Sequence, residues 1–197
     1  MKNLAYLLLI GMLFTLTTAT AQKEETLFGK RGIKLTGAWV SPGLSLSSFD
    51  GGDNTLLFRA KSTVLEFNKS VLVGWGRYSL DGTTRIDGVE GNVDMKYNGV
   101  VLGYTPKAEK VIHPTFMMMM GSGKSYNNGS DNIFVVQPSA GFDINIFRWM
   151  KVGASAGYRW VNGVDTPNLS SNQLSAPYAE LRLKFGYSWG RNKNKRS

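Results

Sequence analysis

The segment Ser175-Ala-Pro-Tyr-Ala-Glu-Leu-Arg-Leu-Lys-Phe-Gly-Tyr187 shows the two-residue alternation that decides the fold. Ala179, Leu181, Leu183, Phe185 and Tyr187 point to one side of an extended chain, and Glu180, Arg182 and Lys184 point to the other. Successive side chains of a β-strand face opposite sides. The segment is therefore predicted to be a strand with one apolar and one charged face.

The same alternation recurs upstream, most clearly in residues 134–146 and 151–161. Eight strands are predicted in all, over residues 32–40, 55–67, 71–80, 93–105, 111–124, 132–146, 151–162 and 175–188. Asn98-Gly99 falls inside the fourth strand and blurs its alternation, so a β-bulge is expected there.

The connections between the predicted strands alternate in length. Residues 68–70, 106–110 and 147–150 are short, whereas residues 41–54, 81–92, 125–131 and 163–174 are longer and polar. Tight turns that alternate with long loops indicate an up-and-down antiparallel meander whose two ends face different surroundings. The first strand is expected to pair with the last and close a barrel.

The N-terminus has the pattern of a secretory signal peptide. Lys2 precedes an apolar run, too short to cross a bilayer as a helix, and small residues lead to a cleavage site after Ala21. The predicted organisation is a signal peptide (1–21), a periplasmic N-terminal segment (22–31), a barrel (32–189) and a basic periplasmic tail (190–197). No cysteine is present, which excludes a disulfide scaffold.

The chain is basic, with 23 Lys and Arg against 14 Asp and Glu and a formal net charge of +9. An exported protein rarely meets nucleic acid, so anionic lipid headgroups or sugar phosphates are the expected partners of this charge.

An alternating strand does not by itself show which face contacts water. A soluble lipocalin-like barrel would turn its apolar face inward around a ligand. Three features favour a membrane barrel: the asymmetric loop lengths, the Gly and Ser residues interleaved with the charges, and aromatic residues near strand ends. The aromatic residues assigned to the apolar face are Trp39, Phe58, Tyr78, Trp160, Phe185 and Tyr187.

The strand pattern, with "AGFDINIFRWMKVGASAGYRW" (140–160) and "YAELRLKFGYSW" (178–189), resembles the small eight-stranded outer-membrane β-barrels of Gram-negative bacteria. These are barrels of the outer-membrane protein A and protein X type. The resemblance implies an all-β, transmembrane, up-and-down antiparallel barrel in the outer membrane. One departure is that residues 190–197 follow Trp189, where such barrels commonly finish on a terminal aromatic residue.

Three sequence features suggest other chemistry, and each of them favours a structural role instead. Gly123-Lys124-Ser125 lacks the first glycine of a phosphate-binding loop, since Met118 stands in its place. Met117–Met120 could place only two sulfur atoms on each face of a strand, so packing is favoured over metal binding. His113, the only histidine, is placed at the turn side of its strand, where a catalytic role is poorly supported.

The charged faces of the strands define the candidate site, a charge network in the barrel lumen. Its predicted members are Lys34, Arg59, Lys61, Arg77, Lys96, Asp143, Lys151, Arg159, Glu180, Arg182 and Lys184. One hypothesis is a structural network of ion pairs that fills a narrow interior. The other is a narrow path that prefers anions, because positive charges exceed negative ones.

The function predicted from these features is that of a non-enzymatic envelope protein with a structural or surface-interaction role through its outer loops. These loops carry Asp53, Asn54, Arg85, Asp87, Glu90, Asn127, Asp131 and Asp165. The alternatives are the anion-preferring pore, the soluble ligand-binding barrel and a lipid-modifying barrel enzyme. No cofactor or metal ion is expected. The expected partners are outer-membrane lipid, lipopolysaccharide and an unknown surface partner, and the expected state is a monomer.

Overall fold

The computed structural model describes residues 32–49, 54–80, 84–85, 92–126, 129–164 and 170–189. The predicted signal peptide (1–21), the N-terminal segment (22–31) and the basic tail (190–197) lie outside these residues, as do parts of the long loops.

Nine strands and one short helix make up the described chain. They are β1 (Leu35–Phe49), β2 (Asn54–Phe67), β3 (Val71–Leu80), β4 (Thr84–Arg85), β5 (Asn92–Tyr104), β6 (Ile112–Tyr126), β7 (Ser130–Phe147), β8 (Met150–Asn162), α1 (Ser171–Leu174) and β9 (Ala176–Ser188). All eight predicted strands are confirmed, and β4 is a two-residue addition that pairs only with β5. Among the described residues, no helix is long and apolar enough to cross a membrane.

The eight long strands form a closed, antiparallel, up-and-down barrel, as predicted. Each strand pairs with its neighbours in sequence, and β1 pairs with β9 to close the sheet. One end of the barrel, the turn end, carries the connections 68–70, 105–111 and 148–149, and the opposite end, the loop end, carries the longer ones. The turn at residues 68–70 places Asn68 and Lys69 at positive φ (49° and 61°), which matches the twist of a hairpin.

β1 is longer than predicted, since the loop expected from Ser41 onward is strand as far as Phe49. Ser41-Pro42-Gly43 has the composition of a turn, yet Ser41, Ser45 and Ser47 are buried in the lumen in regular alternation. Pro42 has no N–H to donate, and the register of β1 with β9 is interrupted at residues 41 and 42. The proline is therefore accommodated within the strand.

The expected bulge at Asn98-Gly99 was wrong, because β5 pairs without a register shift with both β3 and β6. Gly99 lies directly between Gly76 of β3 and Gly121 of β6. This row of glycines leaves space in the lumen for neighbouring side chains. A Cβ added at Gly76 would lie only 2.8 Å from the Val101 side chain. The glycines therefore relieve crowding inside a narrow barrel.

Candidate functional site

The charged side chains predicted on β7, β8 and β9 lie inside the barrel. Their exposed fractions are 1% for Asp143, 9% for Lys151, 1% for Arg159, 3% for Glu180, 6% for Arg182 and 5% for Lys184. The alternation that buries them exposes the residues between them, such as Leu181 at 65%. On β7, β8 and β9 the lumen is thus lined by charges while the outer wall is apolar.

An ion pair between Lys184 and Asp143 lies in the lumen toward the turn end. The Nε2 atom of His113 is 3.9 Å from Asp143 Oδ2, and its Nδ1 atom is 3.1 Å from the Lys110 carbonyl oxygen. His113 is only 1% exposed, so it is a buried lumen residue at the turn end. Such burial gives it a packing role in this cluster.

Glu66 is a lumen carboxylate that the sequence analysis missed. Its carboxylate accepts hydrogen bonds from Thr36 Oγ1 (3.1 Å), Trp39 Nε1 (3.1 Å) and Ser188 Oγ (2.5 Å). Lys151 Nζ lies 4.3 Å from the centroid of the Trp39 ring. Glu66 therefore joins the first, second and last strands at the turn end. No signal local to β2 identified it, because the residues that bind it lie on β1 and β9.

A second group of polar contacts lies nearer the middle of the barrel. Tyr78 Oη donates a hydrogen bond of 3.0 Å to Glu180 Oε2, and Arg182 Nε is 3.6 Å from Glu180 Oε1. The rings of Tyr78 and Tyr97 are stacked with centroids 5.1 Å apart. These contacts connect β3 and β5 to β9 across the lumen, so they tie opposite walls together.

Arg159 is enclosed by aromatic rings. Its guanidinium carbon lies 4.0 Å from the centroid of the Phe58 ring, and the rings of Tyr97 and Tyr178 lie at 5.7 and 5.6 Å. Arg159 Nε donates to Gln137 Oε1 at 3.4 Å, and this oxygen also accepts from Tyr97 Oη at 2.6 Å. A desolvated cation held in this way is stabilised by the ring faces.

The loop end of the lumen is filled by apolar side chains. The plug, as we call it, has no member more than 8% exposed and consists of Leu56, Leu80, Val93, Met95, Ile133, Val135, Val161, Val164 and Leu174. Leu174 belongs to α1, whose N-terminus carries a capping box between Ser170 and Gln173. In the described part of the chain, the lumen is therefore packed from the charged clusters to the loop end.

Five predicted members of the lumen network lie elsewhere, which corrects their assignment. Arg59, Lys61, Arg77 and Lys96 are exposed on the outer face of β2, β3 and β5, and Lys34 is exposed before β1 begins. The aromatic assignment errs in the same way, since Trp39, Phe58 and Tyr78 are buried in the lumen. The reason is that the plug and the rings around Arg159 give β2, β3 and β5 an apolar inner face. The residues that face inward and outward on these strands are therefore the opposite of those predicted.

These corrections change the charge of the lumen. Among the described residues, the buried charges are four cations (Lys151, Arg159, Arg182, Lys184) and three carboxylates (Glu66, Asp143, Glu180). The large positive excess on which the anion path depended is thus absent from this interior.

The methionine run follows the alternation. Met117 and Met119 face the lumen, while Met118 and Met120 are 39% and 36% exposed on the outer face. In the part of the chain that the structure describes, no group of three or more His, Cys, Asp or Glu residues is placed to hold a metal ion.

Two solved structures share this architecture at low sequence identity. Neisserial surface protein A matches with a TM-score of 0.58 and 8% identity, over 80% of this chain and 99% of that one. The N-terminal β-barrel domain of Pseudomonas aeruginosa OprF matches with a TM-score of 0.54 and 9% identity, over 78% and 98%. No protein-family model matches the chain, and no curated protein matches it by sequence. The chain has the fold of the small eight-stranded outer-membrane barrels, as the resemblance to the protein A and protein X type predicts.

Proposed function

We propose that the protein is a non-enzymatic barrel of the bacterial outer membrane whose interactions take place at its loop end and outer wall. The observation that carries this proposal is that β9 is charged on its inner face and apolar on its outer face. Leu181, Leu183 and Phe185 are 65%, 42% and 37% exposed, and the residues between them are buried charges. A wall of this kind is stable against hydrocarbon and unfavourable against water.

Exposed aromatic side chains near both ends of the wall support membrane insertion. Phe134, Tyr158 and Trp160 are 52%, 37% and 52% exposed toward the loop end. Phe147 and Trp149 stack at 5.4 Å at the turn end, where both are more than half exposed. Aromatic rings of membrane barrels concentrate at the two interfaces with water. The turn end is then periplasmic, in agreement with export by the predicted signal peptide.

The packed lumen argues against the soluble ligand-binding barrel and against the pore. A ligand-binding barrel needs an apolar internal cavity, but the described interior is filled by ion pairs, Arg159 and the plug. A steady ion path would have to cross the apolar plug, which separates the charged lumen from the loop end. The barrel is therefore proposed to be a rigid support for its loops, with an unidentified surface partner and a monomeric state.

Refolding and conductance measurements test this proposal. The mature chain should fold only with detergent or lipid, migrate faster on unheated gels, and produce no steady current in planar bilayers. Deletion of residues 86–91 should leave insertion intact, since they fall in the long loop that the sequence predicts over residues 81–92. A monomer that stays in solution without any amphiphile would refute the membrane assignment, and a steady anion current would favour the pore. A change in the mass of outer-leaflet lipid on expression would instead favour a lipid-modifying enzyme.

A further inference from the structure

A cluster of cations lies on the outer wall, from the middle to the loop end of four adjacent strands. Its members are Arg59, Lys61, Arg77, Lys96 and Lys124, and we call it the outer cationic patch. Lys61 is the direct register partner of Arg77. The next row toward the loop end pairs Arg59 with Ser79, then Ser79 with Lys96 and Lys96 with Lys124. The patch is therefore continuous across β2, β3, β5 and β6.

Part of this patch lies within the span that crosses the membrane. Arg77 follows Val71, the first residue of β3, by only six positions, and Lys61 precedes Phe67, the last residue of β2, by six. A barrel strand needs about 9–11 residues to cross the hydrocarbon. Both cations thus fall inside the crossing length, slightly past its middle toward the loops. A cation on the lipid face destabilises a barrel increasingly with depth, so an anionic partner is required to offset it.

In the described part of the chain, the two deepest cations of the patch have no such partner. Within the described residues, neither Lys61 nor Arg77 forms an ion pair. The acidic residue on this outer wall, Asp94, lies 2.6 Å from Lys96 Nζ, where it already neutralises one charge of the patch. The positive charges of Lys61 and Arg77 are therefore available to a ligand that approaches from the lipid side.

A groove of about 890 Å³ lies between these cations and an apolar surface. One row of register partners contains Val152 of β8, which pairs with Leu183 of β9. In the same row, Pro42 of β1 pairs with Lys61, and Lys61 pairs with Arg77. In the next row, Leu181 pairs with Leu44, and Leu44 pairs with Arg59. The outward-facing side chains of the groove are thus apolar on β8, β9 and β1 and mainly cationic on β2 and β3, and the buried Ala60 and Arg182 also line it.

We propose that this groove binds the phosphorylated glycolipid of the outer leaflet, with a glycolipid phosphate at Lys61 and Arg77 and an acyl chain against Leu44, Leu181 and Leu183. This inference rests on the proposed function, because it needs the loop end to face the outer leaflet. The planar guanidinium of Arg77 can bind a phosphate through two hydrogen bonds. The ammonium of Lys61 beside it adds positive charge without disturbing those two bonds. Only an amphiphile satisfies both sides of the groove at once.

Native mass spectrometry of the refolded barrel, titrated with purified diphosphorylated lipid A in a zwitterionic detergent, tests the proposal. The double variant Lys61→Gln, Arg77→Gln should bind lipid A at least about tenfold more weakly, because charge-assisted hydrogen bonds to phosphate are lost. The matched control is Lys110→Gln, Arg148→Gln, which removes the same charge from exposed positions at the turn end. This control should bind as the unmodified protein does. Dephosphorylated lipid A should bind poorly to all three proteins.

A second measurement separates this inference from the proposed function. Lipid A added to neutral vesicles should raise the urea midpoint of the unmodified barrel and leave that of the Lys61→Gln, Arg77→Gln variant unchanged. Equal binding by both proteins, or equal binding of phosphatidylglycerol and lipid A, would overturn the glycolipid site while the barrel still inserts. Failure to insert at all would instead overturn the proposed function.

Discussion

The ion pair between Lys184 and Asp143 offers the sharpest test of a dry, structural lumen. Both side chains are almost fully buried, with exposed fractions of 5% and 1%. Asp143→Ala would leave the Lys184 ammonium buried without its carboxylate. Removal of one member of a buried ion pair costs about 3–5 kcal/mol, a large part of a typical stability of about 5–15 kcal/mol. With an m-value of about 2 kcal/mol/M, the urea midpoint should fall by about 1.5–2.5 M.

A double variant separates the loss of the pair from the loss of packing. Asp143→Ala combined with Lys184→Met removes both charges and keeps an apolar chain of similar length. Replacement of a buried pair by apolar groups is often neutral, so the double variant should recover most of the lost stability. Glu109→Ala, at an exposed turn residue, is the control and should change stability by less than about 0.5 kcal/mol.

The assay is urea unfolding in lipid vesicles, followed by tryptophan fluorescence and by mobility on unheated gels. A cost below about 1 kcal/mol for Asp143→Ala would mean that water reaches Lys184, and the dry network would be refuted. A double variant as unstable as the single one would show that packing at residue 143 sets the cost. In that case the energetic argument from charge burial would fail.

Four further variants test the faces of the wall, the missed carboxylate Glu66 and the hydrogen bond between Tyr78 and Glu180. Leu183→Arg should destabilise the vesicle-bound barrel by about 2–4 kcal/mol, whereas Tyr187→Arg, close to the turn end of the same face, should cost about 0–1 kcal/mol; equal urea midpoints would contradict the depth argument. Glu66→Ala removes the acceptor of three hydrogen bonds and should cost about 3 kcal/mol or more, measured in the same way; a neutral result would show that the Trp39 and Thr36 donors find other partners. Tyr78→Phe deletes only the hydroxyl bound to Glu180 and should cost about 1–3 kcal/mol, because the carboxylate loses a buried donor.

The sequence predicts strand positions well because the alternation along each strand is local. In β9 and β8 the inner face is charged and the outer face apolar, so both the strand and its orientation follow from residues such as Leu181 and Arg182. In β2 the two faces are similar in hydropathy, since Leu56 and Phe58 lie inside while Leu57 and Leu65 lie outside. Orientation there depends on the register with neighbouring strands.

The candidate site was predicted in part for the same reason. The charged residues of β7, β8 and β9 were assigned to the lumen from the two-residue alternation within each strand. Lys61 and Arg77 were wrongly assigned to the lumen because charged strand residues were assumed to face inward. The inner side of their strands instead carries buried tyrosines and part of the plug. The role of Glu66 could not be foreseen, since its donors Trp39 and Ser188 lie far away in the chain.

By itself, the sequence determined that the chain forms alternating strands joined by short and long connections, because each strand's period of two and each turn's composition are local properties. Only the tertiary structure decided which face of β2, β3 and β5 is inside. A closed sheet fixes that orientation jointly for all its strands: β1 is registered to both β2 and β9, so Trp39, Glu66 and Ser188 must meet in one lumen. Closure therefore placed the apolar plug inside and the cationic patch outside.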